Sequence, residues 1–424
     1  MPGQHLIFRA PGFPGGGAAE QGQSVPIRIK VATEAREIDD ALWLRHEVFV
    51  NEDHKFGGKP VHGGRLVDRF DAFPNAYHVV AYEGTEPVAT MRLLKDSNAG
   101  MPVDELYDFS AYRRQVGAGE PAPDGSEMPR VQFGSAGMLA IRSQWRRRRD
   151  VIRAMFRMAA TVCRRYGATH ILVVVNHETA GMYRRLGFVP LTQERIWNEE
   201  IGNHVVPLVG TTAQFLDWAF RGLKNTALSD FRDSFERMVL RAGEYVFREG
   251  DRGEHAYIVE SGDIRIARNR ASGEELTLAH LGRGGLLGEL ALIDDQPRSA
   301  SAIAMVDTEL MTLDRHTFQT ELQANPERAQ SLFRIFSARV RAMDELAMVL
   351  AFAPAGQRLE FALNSARQQA SPDAGQPGAV VFKGGPRELA LLAAVEESAA
   401  LAFLETVAES GGLSFGPKHI QFNV

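Results

Sequence analysis

Hydrophobic and polar positions follow two different spacings in the first half of the chain. Residues 149–167 repeat apolar positions with the period of a helix. The apolar run 170–175 predicts a buried strand, and the runs 77–83 and 87–94 predict a hairpin. Alternation of strands and helices indicates an α/β domain over about residues 25–220.

A different pattern occupies about residues 228–350. Short apolar runs lie between closely spaced glycines, which is typical of a small antiparallel barrel or jelly roll, and a long helix is predicted at the end of this stretch. Residues 355–424 contain helical runs followed by two short strands, the order of a winged helix. Residues 1–24 are rich in Gly and Pro and predict a flexible tail.

Composition narrows the class of protein. The chain has 424 residues and a net charge of −5, so it is not a polycation that binds nucleic acid through overall charge. Its single cysteine, Cys163, excludes an internal disulfide framework and a cysteine-rich zinc site, and we expect no metal. The chain shows neither a signal-peptide pattern nor an apolar run of membrane-span length, which predicts a cytoplasmic protein.

Residues 285–304 place a carboxylate and a guanidinium in an apolar frame. Glu289 and Arg298 are either a surface pair at a turn or the binding groups for a small molecule with hydroxyl and phosphate groups. Additional binding positions would be a glycine that permits close approach, the start of a short helical turn, and a hydroxyl donor: Gly288, Leu290, Ala291 and Ser299.

In order and spacing, these residues resemble the phosphate-binding cassette of cyclic-nucleotide-binding domains of the bacterial catabolite-activator type. The resemblance implies cyclic AMP as a regulatory ligand, and a homodimer formed through the long helix. In that family, hydroxyl residues of the long helix contact the base, but residues 338–364 contain no Ser or Thr. Arg341, Asp344 and Glu345 are the alternatives, so cyclic AMP versus cyclic GMP stays open.

The C-terminal stretch resembles the winged helix of the same activators. Its predicted recognition helix, 396–408, begins with Glu396 and Glu397 and contains neither Lys nor Arg. Such a helix repels the DNA backbone. We therefore expect a degenerate winged helix that does not bind DNA specifically.

Residues 169–191 resemble the end of the GCN5-related N-acyltransferase fold. The resemblance implies that Asn176 and splayed strands near Ala140 hold the pantetheine arm of an acyl thioester. It also implies that Tyr183 protonates the departing thiolate, unless this tyrosine only packs in the core.

The segments 44–52, 67–73 and 88–94 resemble acyl-homoserine-lactone synthases and long-chain N-acyl amino acid synthases, which use acyl carrier protein. The matching positions, implied to shape a lid and the amine site, are Arg45, Phe49, Asp68, Asp71 and Arg92. The Glu and Arg usual in the fourth strand of these families are absent from residues 135–140. The general base is therefore open between His62, Asp71, His78 and Glu178.

A run of arginines, Arg146, Arg147, Arg148 and Arg149, replaces the glycine-rich turn of ordinary acetyltransferases. If these four positions are helical, their side chains point in all directions. They are predicted to contact the donor, either coenzyme A phosphates or the acidic surface of acyl carrier protein.

Together these patterns predict an N-acyltransferase that moves an acyl group from a phosphopantetheine thioester to an amine or amino acid, under the control of cyclic AMP. One alternative is a protein-lysine acetyltransferase that uses acetyl-CoA and is switched by cyclic AMP. Another is a cyclic-AMP-responsive regulator of transcription without enzymatic activity.

Overall fold

The structure is a computed structural model that describes residues 25–56, 63–117, 131–192, 194–199, 202–221, 236–269, 275–324, 326–372 and 379–423. The predictions for the tail, for His62 and for the segment that joins the first two predicted domains lie outside these residues. The chain forms two compact units. The first unit contains Pro26–Val239 and Glu309–Phe336, and the second contains Leu240–Thr308 and Ser337–Val424.

The first unit mixes strands with helices, as the sequence predicts. Its strands are β1 (Ile27–Val31), β2 (Ala76–Glu83), β3 (Glu86–Lys95), β4 (Phe133–Ile141), β5 (His170–Asn176), β6 (Val189–Pro190), β7 (Ile196–Asn198), β8 (Asn203–Thr211) and β9 (Glu236–Leu240). Its helices up to that point are α1 (Ala35–Arg45), α2 (Ser110–Gly117), α3 (Arg149–Arg165), α4 (His177–Arg185) and α5 (Thr212–Ala219).

The sheet of the first unit is mostly antiparallel. Its strand order includes β9-β1-β2-β3-β4-β5-β8-β6, with β7 also paired to β8. Among the described pairings of β1 to β9, only the β4–β5 pair is parallel. The α3 helix covers one face, because Val151, Met155, Met158 and Val162 recur at helical spacing and are buried against the sheet.

The second unit contains most of the short strands that the glycine spacing predicts. Its strands before the long helix are β10 (Tyr245–Phe247), β11 (His255–Ser261), β12 (Ile264–Asn269), β13 (Glu275–Leu281), β14 (Leu286–Leu287) and β15 (Ser301–Ala304), with the short helix α6 (Leu290–Ile293). One antiparallel sheet has the order β10-β15-β12-β13, and β11 pairs with β14. A Cβ at Gly262 would lie 2.2 Å from the Thr308 hydroxyl oxygen, so only glycine fits this turn.

The chain then continues through β16 (Thr308–Asp314), α7 (Arg315–Ala324), α8 (Pro326–Phe352), α9 (Ala355–Gln369), β17 (Ser371–Pro372), β18 (Ala379–Phe382), α10 (Pro386–Ala393), α11 (Glu397–Glu409), β19 (Leu413–Gly416) and β20 (His419–Asn423). The last helices and strands share a small core that includes Leu359, Leu389, Leu404 and Ile420.

The compact units differ from the predicted domain boundaries. The first unit continues past residue 220 to Val239, because β9 pairs with β1 over Ile27↔Val239 to Lys30↔Glu236. It also takes in Glu309–Phe336, so the segment predicted as a barrel with its long helix is divided between the units.

Candidate functional site

A cavity opens in the first unit where β4 and β5 stop pairing. The two strands are in register from Phe133↔His170 to Ser135↔Leu172, and no pairing continues beyond that point in the described strands. The divergence leaves a cavity of about 220 Å³. Its walls include Ser135 and Val175, one from each strand.

Strand β4 is irregular at the same place. Thr90 of β3 faces Ala140, whereas Arg92 faces Gly137, so β4 has one extra residue. Met138, inside this bulge, has a φ of 52°. Left-handed backbone at a non-glycine residue is uncommon and concentrates at functional sites.

Most of the cavity wall is apolar, and its polar groups are concentrated on a few side chains. Phe49, Phe56, Leu106, Leu139 and Met182 are among the apolar residues. The charged and hydrogen-bonding groups that line the cavity are Lys55, Asp68, Arg92, Glu105, Ser135, Asn176, Thr179 and Tyr183. Such a cavity fits a largely apolar ligand that carries a few polar groups.

A buried charge cluster reaches the cavity wall through Asp68 and Arg92. Arg92 donates to both carboxylate oxygens of Asp68, at 2.6 and 2.9 Å, and to Asp71 at 2.8 Å. Arg45 donates to the same oxygen of Asp71 at 2.7 Å. Two aspartates therefore balance two arginines, and Asp68 and Arg92 reach the cavity wall.

His78 completes this cluster as a neutral side chain. Arg45 donates to Nδ1 of His78 at 2.9 Å, which places the ring proton on Nε2. Burial, followed by the charge of Arg45, lowers the pKa of His78 to about 4. Nδ1 is thus occupied, and the geometry gives no support to His78 as the general base.

Asp71 is held in its charged form. Burial opposes ionisation, but the charges of Arg45 and then Arg92 outweigh it and lower the pKa of Asp71 to about 2. Such a weak base, saturated by arginines, is suited to positioning the cluster. Glu178 is exposed and accepts from Asn203 at 3.2 Å, and it is not among the described residues that line the cavity.

Tyr183 and Asn176 both lie on the cavity wall, but Ala140 does not. The Tyr183 ring packs edge-to-face against Phe156 and Phe188, with centroids 5.4 and 5.7 Å away. Burial raises the pKa of Tyr183. The side chain therefore packs in the core and also keeps its proton at neutral pH. Ala140 is buried in a separate cluster with Leu44 and Val48.

Of the four arginines, only Arg149 is helical, so the run does not form the four successive helical positions that the sequence predicts. Because α3 begins at Arg149, the three preceding arginines lie in the turn before it. Arg146 pairs with Asp53 at 2.8 Å, and Arg148 pairs with Asp150 at 2.6 Å. Arg147 and Arg149 are exposed and have no ion pair with any described residue.

The second unit contains the predicted nucleotide pocket. Arg298 is buried, and its guanidinium donates to the backbone oxygens of Gly288 at 2.5 Å and His255 at 2.7 Å. It also lies 4.2 Å from the centre of the Phe247 ring. Among the described residues, no carboxylate forms an ion pair with Arg298, and its Nε is buried without a hydrogen-bond partner.

Gly288 makes this arrangement possible. Its φ is 77°, and a Cβ there would lie 2.6 Å from Nη1 of Arg298. Leu290 and Ala291 begin the short α6 helix next to it, and Ser299 is exposed beside Arg298. An orphaned buried guanidinium nitrogen beside a glycine cradle fits a phosphate group.

Glu289 has a partner that the sequence did not indicate. Arg339, in the long helix α8, donates to the Glu289 carboxylate and to the backbone oxygen of Leu286. The predicted alternatives on that helix, Arg341, Asp344 and Glu345, are all exposed. Sequence periodicity relates residues within one helix, so it could not indicate a contact between Glu289 and Arg339, which are 50 residues apart.

Lys55 and Glu105 were also missed as cavity residues. The signal available in the sequence was weak: Lys55 follows the recognised segment 44–52, and Glu105 lies in a short turn, Pro102–Glu105. Their position depends on how loops return to the sheet, which periodicity does not predict.

Comparison with known proteins connects both sites to families. The cyclic AMP receptor protein of Thermus thermophilus is 34% identical over 203 residues, which cover 48% of this chain and 90% of that protein. This chain belongs to the cyclic AMP receptor protein family. The family model for the cyclic nucleotide-binding domain matches residues 237–325. A CRP-like cAMP-activated global transcriptional regulator of Mycobacterium tuberculosis is 29% identical over 122 residues, or 54% of its length.

This member of the family also carries an enzyme domain. The family model for the N-acyl amino acid synthase FeeM matches residues 40–210, so the resemblance to N-acyl amino acid synthases is confirmed. The solved structure of FeeM, from uncultured soil microbes, has a TM-score of 0.36 and 13% identity, covering 45% of this chain and 94% of that one. The crystal structure of the Thermus thermophilus catabolite activator protein has a TM-score of 0.28 and 34% identity, covering 48% and 92%.

Two further observations concern the described residues alone. None of their helices combines the length and the apolarity that crossing a membrane requires. They also contain no group of three side chains arranged to hold a metal ion.

Proposed function

We propose that this protein transfers an acyl group from a phosphopantetheine thioester to an amino acid, and that cyclic AMP regulates the transfer. The observation that carries the proposal is the cavity at the divergence of β4 and β5. It joins an apolar wall to Asp68 and Arg92 within the region that matches an N-acyl amino acid synthase.

The reaction needs one bond to form and one to break. The acceptor nitrogen attacks the thioester carbonyl carbon, and the carbon–sulfur bond breaks to release a thiolate. Tyr183 is placed on the cavity wall as a protonated phenol and donates its proton to that sulfur. The proton lost by the amine passes to water and restores the phenol.

Asp68 orients the acceptor in this proposal. Arg92 donates a hydrogen bond to each of its two oxygens, so the position of the Asp68 side chain is fixed. A carboxylate has further lone pairs that can accept a hydrogen bond from an N–H group of the amine. Arg45, Asp71 and His78 hold Arg92 in place from behind the wall and are positioning residues.

The donor is proposed to be acyl carrier protein, with acyl-CoA as the second source of the same thioester. Arg147 and Arg149 provide exposed positive charge near the start of α3, whereas Arg146 and Arg148 are already paired with carboxylates. An acidic carrier surface is therefore expected to contact the first two. Asn176 on the cavity wall is proposed to bind the pantetheine arm.

Cyclic AMP is proposed to bind the second unit through its phosphate and ribose. Arg298 receives the phosphate, helped by Ser299 and the α6 backbone, and Glu289 accepts from the ribose hydroxyl. The Glu289–Arg339 pair links the pocket to α8. Ligand binding that alters this pair would change the preferred position of α8 and thereby the enzyme's activity.

Helix α8 is proposed to form a homodimer. Four large apolar side chains of α8 are exposed: Phe333 (64%), Val340 (56%), Met343 (69%) and Leu350 (36%). They follow one another at steps of seven, three and seven residues. This is the spacing of a coiled-coil seam. Measuring mass in solution for wild type and Met343→Glu tests it: a monomeric wild type would contradict the dimer.

The C-terminal helices and hairpin are proposed to be a winged helix that does not bind DNA specifically. Helix α11 carries Glu397, Glu405 and Glu409 on its exposed surface and no cation. Similarity to a CRP-like cAMP-activated global transcriptional regulator is the observation that favours the regulator hypothesis instead. A gel-shift assay with genomic fragments, with and without cyclic AMP, decides it, because a sequence-specific shift would contradict this interpretation.

One experiment tests the central proposal. Thioester consumption by the full chain is measured with acyl carrier protein or CoA donors, each amino acid, and saturating or no cyclic AMP. Mass spectrometry identifies the product. We expect an N-acyl amino acid and a rate that changes with cyclic AMP. Acetylation confined to protein lysine would establish the acetyltransferase alternative.

Glu289→Ala combined with Arg298→Ala separates regulation from catalysis. The double variant is expected to keep its basal rate and to lose the response to cyclic AMP, since both residues lie in the second unit. Equal rates with and without nucleotide in the wild type, once binding is confirmed, would contradict regulation of this enzyme.

A further inference from the structure

Two cations, Arg92 and Lys55, line the cavity among the residues that the structure describes. Arg92 makes three hydrogen bonds to Asp68 and Asp71, so its charge is already balanced inside the protein. Among the residues that the structure describes, the carboxylate oxygen nearest to the Lys55 ammonium belongs to Asp53 and lies 3.8 Å away. That distance is too long for a hydrogen bond. Lys55 therefore keeps donors for a ligand.

The backbone holds Lys55 in an unusual turn. His54 and Phe56, its two neighbours, have φ values of 54° and 57°. Residues with a side chain rarely adopt this conformation, and such strain is concentrated where a ligand is held. The Lys55 amide donates to the Phe49 backbone oxygen at 2.7 Å, and the Phe49 and Phe56 rings meet edge-to-face at 5.7 Å.

Lys55 therefore adds a positive charge to a cavity lining to which Phe49 and Phe56 contribute apolar rings. The Lys55 side chain is 25% exposed, so it is partly shielded from solvent. A lysine ammonium binds a carboxylate as a point charge. With the acceptor amine proposed at Asp68, a second charged group in the lining of the same cavity suits a molecule that carries both an amine and a carboxylate.

We propose that Lys55 binds the carboxylate of the acceptor and so restricts the reaction to free amino acids. The proposal rests on the proposed N-acyltransferase function. It also separates the two enzyme hypotheses, because a lysine side chain within a protein carries no carboxylate close to its amine.

The test compares each accepted amino acid with its carboxamide in the full chain. Wild type is expected to show a KM for the amino acid about 10- to 100-fold below that for the carboxamide, the usual range for one charged hydrogen bond. Lys55→Met should raise the amino acid KM by a similar factor. It should leave kcat, the carboxamide KM and the donor KM nearly unchanged.

Lys30→Met is the matched control. Lys30 is 26% exposed and pairs with Glu37 at 2.6 Å, but it lies outside the cavity wall. Its substitution should change none of these constants. Calorimetric binding of the amino acid panel and the carboxamides to wild type and Lys55→Met provides a readout that does not require turnover.

The outcomes distinguish the proposals. Equal treatment of amino acid and carboxamide by wild type, in kinetics and in calorimetry, overturns the role of Lys55. A higher donor KM in Lys55→Met, with the amino acid KM unchanged, also overturns it and assigns the lysine to a donor phosphate. If no amine is acylated, the proposed function fails, and the difference in calorimetric binding decides the role of Lys55 alone.

Discussion

The buried arginines of the two units are satisfied in opposite ways. In the first unit, Arg45 and Arg92 share two aspartates, and the cluster is neutral with His78 uncharged. In the second unit, Arg298 is bound by backbone oxygens and a ring face, without a described carboxylate partner.

This difference separates two uses of a buried charge. A guanidinium that is matched by carboxylates is a structural group, and removing either partner strands a charge in the interior. A guanidinium held only by dipoles retains its net charge for an incoming anion. Burial lowers the pKa of Arg298. The guanidinium still carries its charge, because the ordinary pKa of an arginine is very high.

The largest expected effect comes from breaking the matched cluster. Asp71→Ala leaves Arg45 and Arg92, which are 0% and 3% exposed, without a shared acceptor. We expect a loss of about 3–5 kcal/mol in unfolding free energy, measured by chemical denaturation. Asp39→Ala is the control, because Asp39 pairs at the surface with Arg65 and should lose under ~1 kcal/mol. Similar losses in both would show that the cluster is not structural.

The dipole-held arginine should matter for binding. Arg298→Ala removes the cation from the proposed phosphate site and is expected to weaken cyclic AMP binding by about 2–4 kcal/mol in calorimetry. Arg268→Ala, at an exposed ion pair with Glu249, should bind like wild type. Undetectable binding of cyclic AMP and cyclic GMP by the wild type would contradict the assignment of the pocket.

The neutral histidine predicts a pH dependence. Folding lowers the pKa of His78 from 6.5 to about 4, so the unfolded chain binds the proton more readily. Stability from this group is complete above pH 6.5 and falls as the pH drops toward 4, by at most about 3 kcal/mol. Urea unfolding of His78→Asn should show a smaller decline across that window. An identical pH dependence in both proteins would mean that His78 is not held neutral.

The smallest effect concerns charges at the surface. Replacing Arg147 and Arg149 with Ser should raise the KM for acyl carrier protein about 3- to 10-fold at low salt and less at high salt. Arg146→Ser should change it little, because Arg146 is engaged by Glu52 and Asp53. If only acetyl-CoA kinetics respond, the acetyltransferase hypothesis gains the support instead.

The sequence predicted those features whose pattern lies within a single short segment of the chain. Helix α3 has an apolar face with helical period, and its predicted range 149–167 differs from Arg149–Arg165 only at the end. Gly288, Glu289 and Arg298 are recognisable together because they lie within one short stretch of chain, with Gly288 and Arg298 only 10 residues apart. The family comparison confirms the cyclic nucleotide-binding domain that they indicated.

Long-range contacts were not predictable in this way. The partner of Glu289 comes from a helix 50 residues away, and Lys55 reaches the cavity through two left-handed residues that no composition rule signals. Asp68 and Asp71 were recognised by resemblance, but which arginine each of them pairs with was not predictable from the sequence. The roles of these side chains depend on partners that are distant in the sequence and become adjacent only in the folded chain.

The pairing of β9 with β1 has a consequence for dividing the chain. A fragment that ends near Phe220 would leave β1 as an open edge with unpaired N–H and C=O groups, which favours aggregation. Ending after β9 would close that edge but remove Glu309, the carboxylate bound by Arg157 and Arg237. A fragment of the first unit that keeps these contacts must therefore include Glu309. Recombination that separated the two predicted domains near residue 220 would lose the β1–β9 pairing and the Glu309 ion pairs, and both would have to be replaced.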